Sequence, residues 1–270
     1  MRIAMIQQWL NPNMAETVAL LEARGVKVDG ICPEQQMTDI GQLRVEHDLY
    51  LLKSGTSLAM SVAGCLHAAG AATLNPYPVV ALLRNKITAT RLLQLAGVPT
   101  PDTYLAATRE QLADRLAAGP LLIKPYMGSY GRGVRVIERP EDIEDMPPGE
   151  PIMVQHYHKP DGDGRDYKIF NIGNQLFGVR RIWPIKTYAD KAGQSFELSP
   201  ELRDITLRCG QAFGIDLFGL DIVISEGQPY VVDVNKFGSY MGVPDAPKLL
   251  ANYLYNAVQR AAHGAPAAQP

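Results

Sequence analysis

Little in this 270-residue chain suits an oxidised or a membrane setting. It has only three cysteines, Cys32, Cys65 and Cys209, an odd number without paired spacing. That argues against a disulfide framework and a cysteine-rich zinc site, and makes a reducing cytoplasm the expected location. No run approaches about 18 apolar residues, so no helix is expected to span a membrane. No apolar signal core with a cleavage site follows Met1-Arg2-Ile3-Ala4. Charge is nearly balanced, with 26 Lys and Arg against 28 Asp and Glu for a net −2. No global field recruits nucleic acid or an anionic membrane, so any polyanion site must be local. The turn after the first strand-like run, Gln7-Gln8-Trp9-Leu10-Asn11-Pro12, lacks the glycines of a dinucleotide fingerprint. Internal repeats and coiled-coil heptads are absent too.

What is present, at 46% hydrophobic residues, is an ordinary globular composition. The first third alternates strand and helix. Ile3 to Ile6 is a short apolar run, and Met14, Val18 and Leu21 recur at helical spacing before a stop at Gly25. Val26 to Ile31 and Leu49 to Leu52 read as strands, and Leu58, Val62 and Leu66 as a second helix. Such alternation predicts a small parallel sheet with helices on its faces. Asn75-Pro76-Tyr77-Pro78 reads as a linker, followed by one helix through Leu82, Leu83, Ile87 and Leu93. Beyond Leu121 strands dominate, interrupted by a helix from Ser199 to Gly214 and closed by one through Leu250, Leu254 and Val258. The fold class is therefore α/β (α+β).

Two stretches carry the chemistry. Lys124-Pro125-Tyr126-Met127-Gly128-Ser129-Tyr130-Gly131-Arg132-Gly133 lies between two strands. Its glycines let backbone N–H groups converge on an anion, while Ser129, Lys124 and Arg132 add a hydroxyl and charge. No Gly-Lys-Ser/Thr opens a helix, so it is not a P-loop. A plain glycine hairpin is the competing reading, and the strand-end lysine weighs against it. The second stretch is a hairpin in which a three-residue loop at Glu226-Gly227-Gln228 sets Asp221 opposite Asp233. Alternation groups Val231, Asp233 and Asn235 on one face, with Tyr230, Val232 and Val234 on the other. Two carboxylates and an amide oxygen on one face suit a hard ion, Mg²⁺ or alternatively Mn²⁺, held together with nucleotide phosphates. The competing reading has both carboxylates pair with arginines or cap turns. Lys53, after the third strand, sits where loops of parallel sheets face ligands.

In this order the motifs resemble the ATP-grasp superfamily, specifically its RimK-type and glutathione-synthetase-like carboxylate–amine ligases. The resemblance covers about Asn75 to Val258. It implies residues 1–76 as an α/β domain, 77–150 and 151–262 as two α+β subdomains clasping ATP, and 263–270 as a flexible tail. Lys86 is similar to the family's first phosphate lysine and Lys124 to its second, and Gly128, Ser129, Gly131 and Gly133 to its phosphate-covering loop. Met153-Val154-Gln155-His156-Tyr157 resembles the adenine linker, with His156 in place of the usual Glu, so backbone contacts from Tyr157 and His158 are implied. Gly164-Arg165-Asp166-Tyr167-Lys168 resembles a Gly-x-Asp-Ile-Arg motif, which puts Asp166 near the ribose and Lys168 where an Arg usually stands. Arg181, or else Arg180, matches the arginine that stabilises the transferring phosphoryl group. Asp221, Asp233 and Asn235 match the metal ligands, with Asp here in place of the usual Glu. Lys53, Ser239 and Tyr240 are candidates for the substrate.

The resemblance implies that ATP activates a carboxylate as an acyl phosphate, which an amine (amino acid, peptide or protein terminus) then attacks. The partners expected are ATP and that small substrate, with no nucleic acid or membrane, and a homo-oligomer is open. An alternative stays in view: Asp233-Val234-Asn235-Lys236-Phe237-Gly238-Ser239-Tyr240 is also similar to ATP-grasp inositol-phosphate kinases. A nucleotide sensor without turnover is a third reading.

Overall fold

The structure, a computed structural model, describes residues 1–7, 10–128, 133–143, 149–162, 165–181 and 192–264. Of the residues named above, Gln8, Trp9, Ser129, Tyr130, Gly131, Arg132 and Gly164 lie outside these, as do 265–270 of the tail.

Three sheets organise the chain. The first is parallel, with β1 (Arg2–Ile6) flanked by β2 (Lys27–Ile31) and β3 (Leu49–Leu52), and β4 (Thr73–Leu74) beyond β3. Helices α1 (Pro12–Glu22) and α2 (Ser57–Ala68) make the crossovers. Each starts at a side-chain cap: Asn11 accepts from the Met14 amide at 3.0 Å and Thr56 from the Ala59 amide at 3.1 Å.

The linker region departs from expectation. The single helix expected through Leu82 and Leu93 is two, α3 (Tyr77–Leu83) and α4 (Lys86–Leu95). Asn85 breaks the run by adopting an extended conformation and capping α4, its Oδ1 accepting from the Ile87 and Thr88 amides. The break puts Lys86 at the first turn of α4, where its amide donates to the Tyr126 carbonyl at 2.9 Å.

The second sheet is small and antiparallel, in the order β5 (Thr103–Ala106), β8 (Ile152–His156), β6 (Leu121–Ile123), β7 (Arg135–Ile137). One face packs on α5 (Ala113–Ala117) through Leu112, Leu116, Leu121, Ile137 and Val154. The opposite face carries Leu105, Val136 and Lys124. β5 and α5 were not apparent from periodicity, since both are too short to show one.

The third sheet is antiparallel, in the order β11 (Gln194–Phe196), β10 (Gln175–Arg181), β9 (Asp166–Ile172), β12 (Leu217–Ser225), β13 (Gln228–Asn235). On one face lies α6 (Pro200–Phe213), capped by Ser199 and ended by Gly214 in the left-handed region, as its sequence predicts. On the other lies α7 (Ala246–Ala262). That helix also packs on α1 and β3, so Leu250, Leu254 and Val258 share one core with Ile3, Leu49, Phe170 and Ile172. The first and third sheets are thereby welded through α7.

The β12–β13 hairpin reaches its expected end by a different route. Its turn has two residues, Glu226 (φ 52°) and Gly227 (φ 74°), with Ser225 opposite Gln228. A three-residue loop is not needed, because a β-bulge lies between Asp221 and Ile222 on one strand and spans Val232 on the other: Ile222 faces Val231, while Asp221 faces Asp233. The bulge also changes which residues share a face. Val231 joins Val234 in the α6 core rather than standing beside Asp233.

Candidate active site

The third sheet concentrates charge at one end of one face. Register alone assembles the row: Arg181 on β10 opposes Asp166 on β9, Lys168 on β9 opposes Asp221 on β12, and Asp221 opposes Asp233 on β13. Asn235 follows two residues on. Arg181 donates to both oxygens of Asp166 and, at 2.8 Å, to Asp221 Oδ1. Asp221 Oδ2 accepts from Lys168 Nζ at 2.8 Å and from Asn235 Nδ2 at 2.6 Å. Gly219, opposite Asn235, leaves room for this network, since a Cβ there would lie 3.1 Å from Lys168 Cε and 3.2 Å from the Phe170 ring.

Burial tunes these groups in opposite directions. It pushes Asp221 up, but the Lys168 and Arg181 charges outweigh it and hold the carboxyl below its ordinary value. Asp166 and Asp233 are raised, chiefly by burial. Arg181 is raised despite burial, because Asp221 and Asp166 stabilise its charge.

The central sheet supplies two lysines to the same place. Lys124 is buried and its Nζ donates to the Val232 carbonyl at 2.9 Å, so the bulge residue is what the lysine grips. Burial lowers Lys124 to about 8, with Asp233 opposing and Lys86 adding to the shift. Lys86 Nζ donates to the Gly128 carbonyl at 2.6 Å, and Lys86, Thr90, Val232 and Asp233 line a cleft. Gly128 (φ 127°) and Gly133 (φ 73°) bracket the glycine loop in conformations that favour glycine, and a Cβ on Gly133 would come within 3.0 Å of Pro125.

The strand leading from β8 is partly committed. The His156 amide donates to the Asp102 carbonyl at 2.8 Å and the Tyr157 amide to the Pro120 carbonyl at 3.2 Å. The Tyr157 N–H is thus already engaged within the chain. Gln155 is buried, donates to Thr103 Oγ1 at 2.9 Å, and has its Oε1 without a partner among the described residues. The His158 ring stacks on Tyr230 with centroids 3.7 Å apart, and burial lowers its pKa. Asp161, missed in the sequence, accepts from the Glu226 and Gly227 amides at 2.8 Å and staples this segment to the β12–β13 turn. An Asp four residues before the Arg165-Asp166 pair carries no sequence signal for that role.

Three candidates end elsewhere. Arg180 opposes Tyr167 and projects from the α6 face, away from the charged row. Tyr240 has no exposed surface and packs on Phe170 and Phe237, so it cannot meet a substrate. Its backbone turns it inward at φ 53°, held by Asn13, whose Nδ2 donates to the Ser239 and Tyr240 carbonyls at 3.1 and 3.0 Å. Ser239 is half-buried beside it. Lys53 does reach the loop after β13, donating to the Gly238 carbonyl at 3.5 Å. Among the described residues no helix is long and apolar enough to cross a membrane, and all three cysteines are free.

A parallel α/β sheet followed by two antiparallel subdomains that face lysines to a carboxylate row defines an ATP-grasp ligase. The chain belongs to the RimK-like ATP-grasp domain family, whose model matches residues 83–244. It is 26% identical over 97% of its length, and 96% of the relative's, to a probable alpha-L-glutamate ligase of Shewanella loihica. A second such ligase, from Stutzerimonas stutzeri, is 29% identical over 68% of this chain and 67% of its own. A RimK domain ATP-grasp protein from Sphaerobacter thermophilus superposes with a TM-score of 0.77 at 18% identity, over 93% of this chain and 98% of that one. The ATP-grasp ligase PsnB, complexed with a minimal precursor, Mg and ADP, superposes at 0.66 with 17% identity over 96% of each chain. These relatives support ligation and give no support to the kinase alternative.

Proposed function

We propose that the chain uses ATP to join a carboxylate to an amine of an amino acid or peptide, releasing ADP and phosphate. The observation that carries this reading is the meeting of buried Lys124 and half-buried Lys86 with Asp233 and Asp221 across the cleft between the second and third sheets. A carboxylate oxygen of the substrate would attack the γ-phosphorus as the bond to the β-phosphate oxygen breaks and ADP leaves. The amine would then attack the acyl carbon, lose a proton and expel phosphate.

The chain's own groups supply charge and position. Lys86 and Lys124 neutralise phosphate oxygens, and Gly128 to Gly133 close over them. Arg181, oriented by Asp166, faces the transferring phosphoryl group and the later oxyanion. This arrangement favours Asp166 as the holder of Arg181 over a direct ribose contact. The unpaired Gln155 Oε1 and the exposed Leu105 and Val136 suit an aromatic base bearing an amino group. Lys168 neutralises Asp221 until phosphates share its charge.

Among the described residues no group of three or more His, Cys, Asp or Glu could hold a metal ion. Asp221, Asp233 and Asn235 nevertheless fit Mg²⁺, which takes one or two carboxylates and completes its shell with substrate phosphates. When bound, the ion supplies positive charge to phosphate oxygens.

The test is ADP release in the presence of L-glutamate and an amine acceptor, with hydroxylamine as a trap. A hydroxamate formed with ADP supports the ligase, whereas a stable phosphorylated product or no substrate-dependent ADP counts against it. A pH dependence follows from Lys124. Phosphate binding restores its proton, so ATP affinity should be highest below pH about 8 and weaken above it, by up to about tenfold per pH unit. Titrating a non-hydrolysable ATP analogue from pH 7 to 9.5 measures this. Lys124→Arg, which keeps its charge, should flatten the alkaline limb.

A further inference from the structure

Three cations beside the active site take no part in the reading above. Lys236 directly follows Asn235, and its Nζ donates to the Ser54 carbonyl at 2.6 Å, with Met60 Sδ 3.6 Å away. Arg84, just past the end of α3, donates to the Thr56 carbonyl at 3.4 Å and to Ser57 Oγ at 3.2 Å. Lys53, at the end of β3, lies 4.6 Å from the Phe237 ring centroid. Arg84 and Lys236 thus hold, and Lys53 begins, the turn from Lys53 to Ser57, which runs from the C-terminal end of a parallel strand into α2.

The acceptors of Arg84 and Lys236 among the described residues are all neutral: carbonyls, a hydroxyl and a thioether. Within the turn, the Thr56 hydroxyl donates to Glu34. Lys236, Arg84 and Lys53 thus bring three positive charges to one turn. Like charges gathered at a half-buried seam cost free energy that an anion recovers. The seam also adjoins Asn235, so a substrate a few bonds long would reach from it to the phosphate end of the cleft.

We propose that Lys236 and Arg84, flanked by Lys53, bind the non-reacting carboxylate of the substrate, contributed either by a free dicarboxylic amino acid or by a peptide C-terminus. This rests on the ligase reading.

The full chain would be assayed for ADP release with L-glutamate, its α-amide, and short glutamyl peptides ending in a free or an amidated C-terminus. In wild type the acid should be preferred over the amide, and whichever series shows the larger preference identifies the source. Lys236→Gln and Arg84→Gln should each raise KM for the preferred acid about 10–100-fold, with KM for ATP and for the amide little changed. The idea is overturned if KM for the acid stays within about twofold, if acid and amide suffer equally, or if ATP binding and Tm fall together with it. Calorimetric titration of the same acid and amide onto protein holding a non-hydrolysable ATP analogue separates the two readings. Acid-selective binding lost in both variants upholds the cation site even where no ligation occurs, while ligation without acid selectivity upholds only the ligase.

Discussion

Lys124→Ala and Asp233→Ala should each lower kcat/KM for ATP-dependent turnover by at least about a thousandfold, without unfolding the protein. Lys124 is a cation held in a buried place, with its Nζ on a backbone carbonyl rather than in an ion pair. A group kept charged against desolvation, facing Asp233 and close to Lys86, is preorganised for an anion that arrives later. Alanine removes the charge and leaves the Val232 carbonyl beside the cleft, where water can reach it. Asp233 is only half-buried, at the outer strand of its sheet, so its loss leaves the core around Val231 and Val234 in place. Single-turnover assays with thermal melts of each variant check this. Activity within tenfold of wild type in either would remove these residues from the site.

Asp221→Ala should damage the fold as well. Its carboxylate accepts from Lys168, Arg181 and Asn235 at once, and both cations are buried. Removing it strands two buried positive charges, and breaking a buried pair from one side costs about 3–5 kcal/mol. Asp166 still pairs with Arg181, which leaves Lys168 the main casualty. Lys168→Met in the Asp221→Ala background should therefore recover a large part of the loss, as apolar burial replaces an unpaired ammonium. Chemical denaturation of the two single variants and the double variant measures the coupling. Strict additivity would show that the two residues do not act as a pair. Turnover should be absent from every variant lacking Asp221, whatever its stability.

Much of this was legible in the chain. The Ser199, Pro200 and Gly214 signals marked α6 to the residue, because capping is local chemistry. The pairing of Asp221 with Asp233 was legible too, though for an incomplete reason. Alternation assumes an unbroken ladder, and a bulge is a tertiary compromise that leaves no local signature here. The break between α3 and α4 had a signal in Asn85, masked by apolar periodicity running through it. The partnership of Asp166 with Arg181 depends on register across β9 and β10, and the inward turn of Tyr240 on Asn13 more than two hundred residues earlier. Neither can be read from neighbours in sequence.

The sharing of α7 between two sheets has a mechanical consequence. The parallel sheet and the charged sheet form a single anvil, and Asp221, Asp233 and the Lys236 seam keep fixed spacing on it. The small sheet around Val154 has a core of its own and meets that anvil through polar contacts, straps near Pro99 and Asp161 and the bonds that Lys124 and Tyr126 make. Opening is thus cheapest by swinging the small sheet as one piece, carrying Lys124 and the glycine loop with it. Nucleotide exchange would then leave the substrate's resting place undisturbed, so ADP can leave and ATP return while the acceptor stays seated.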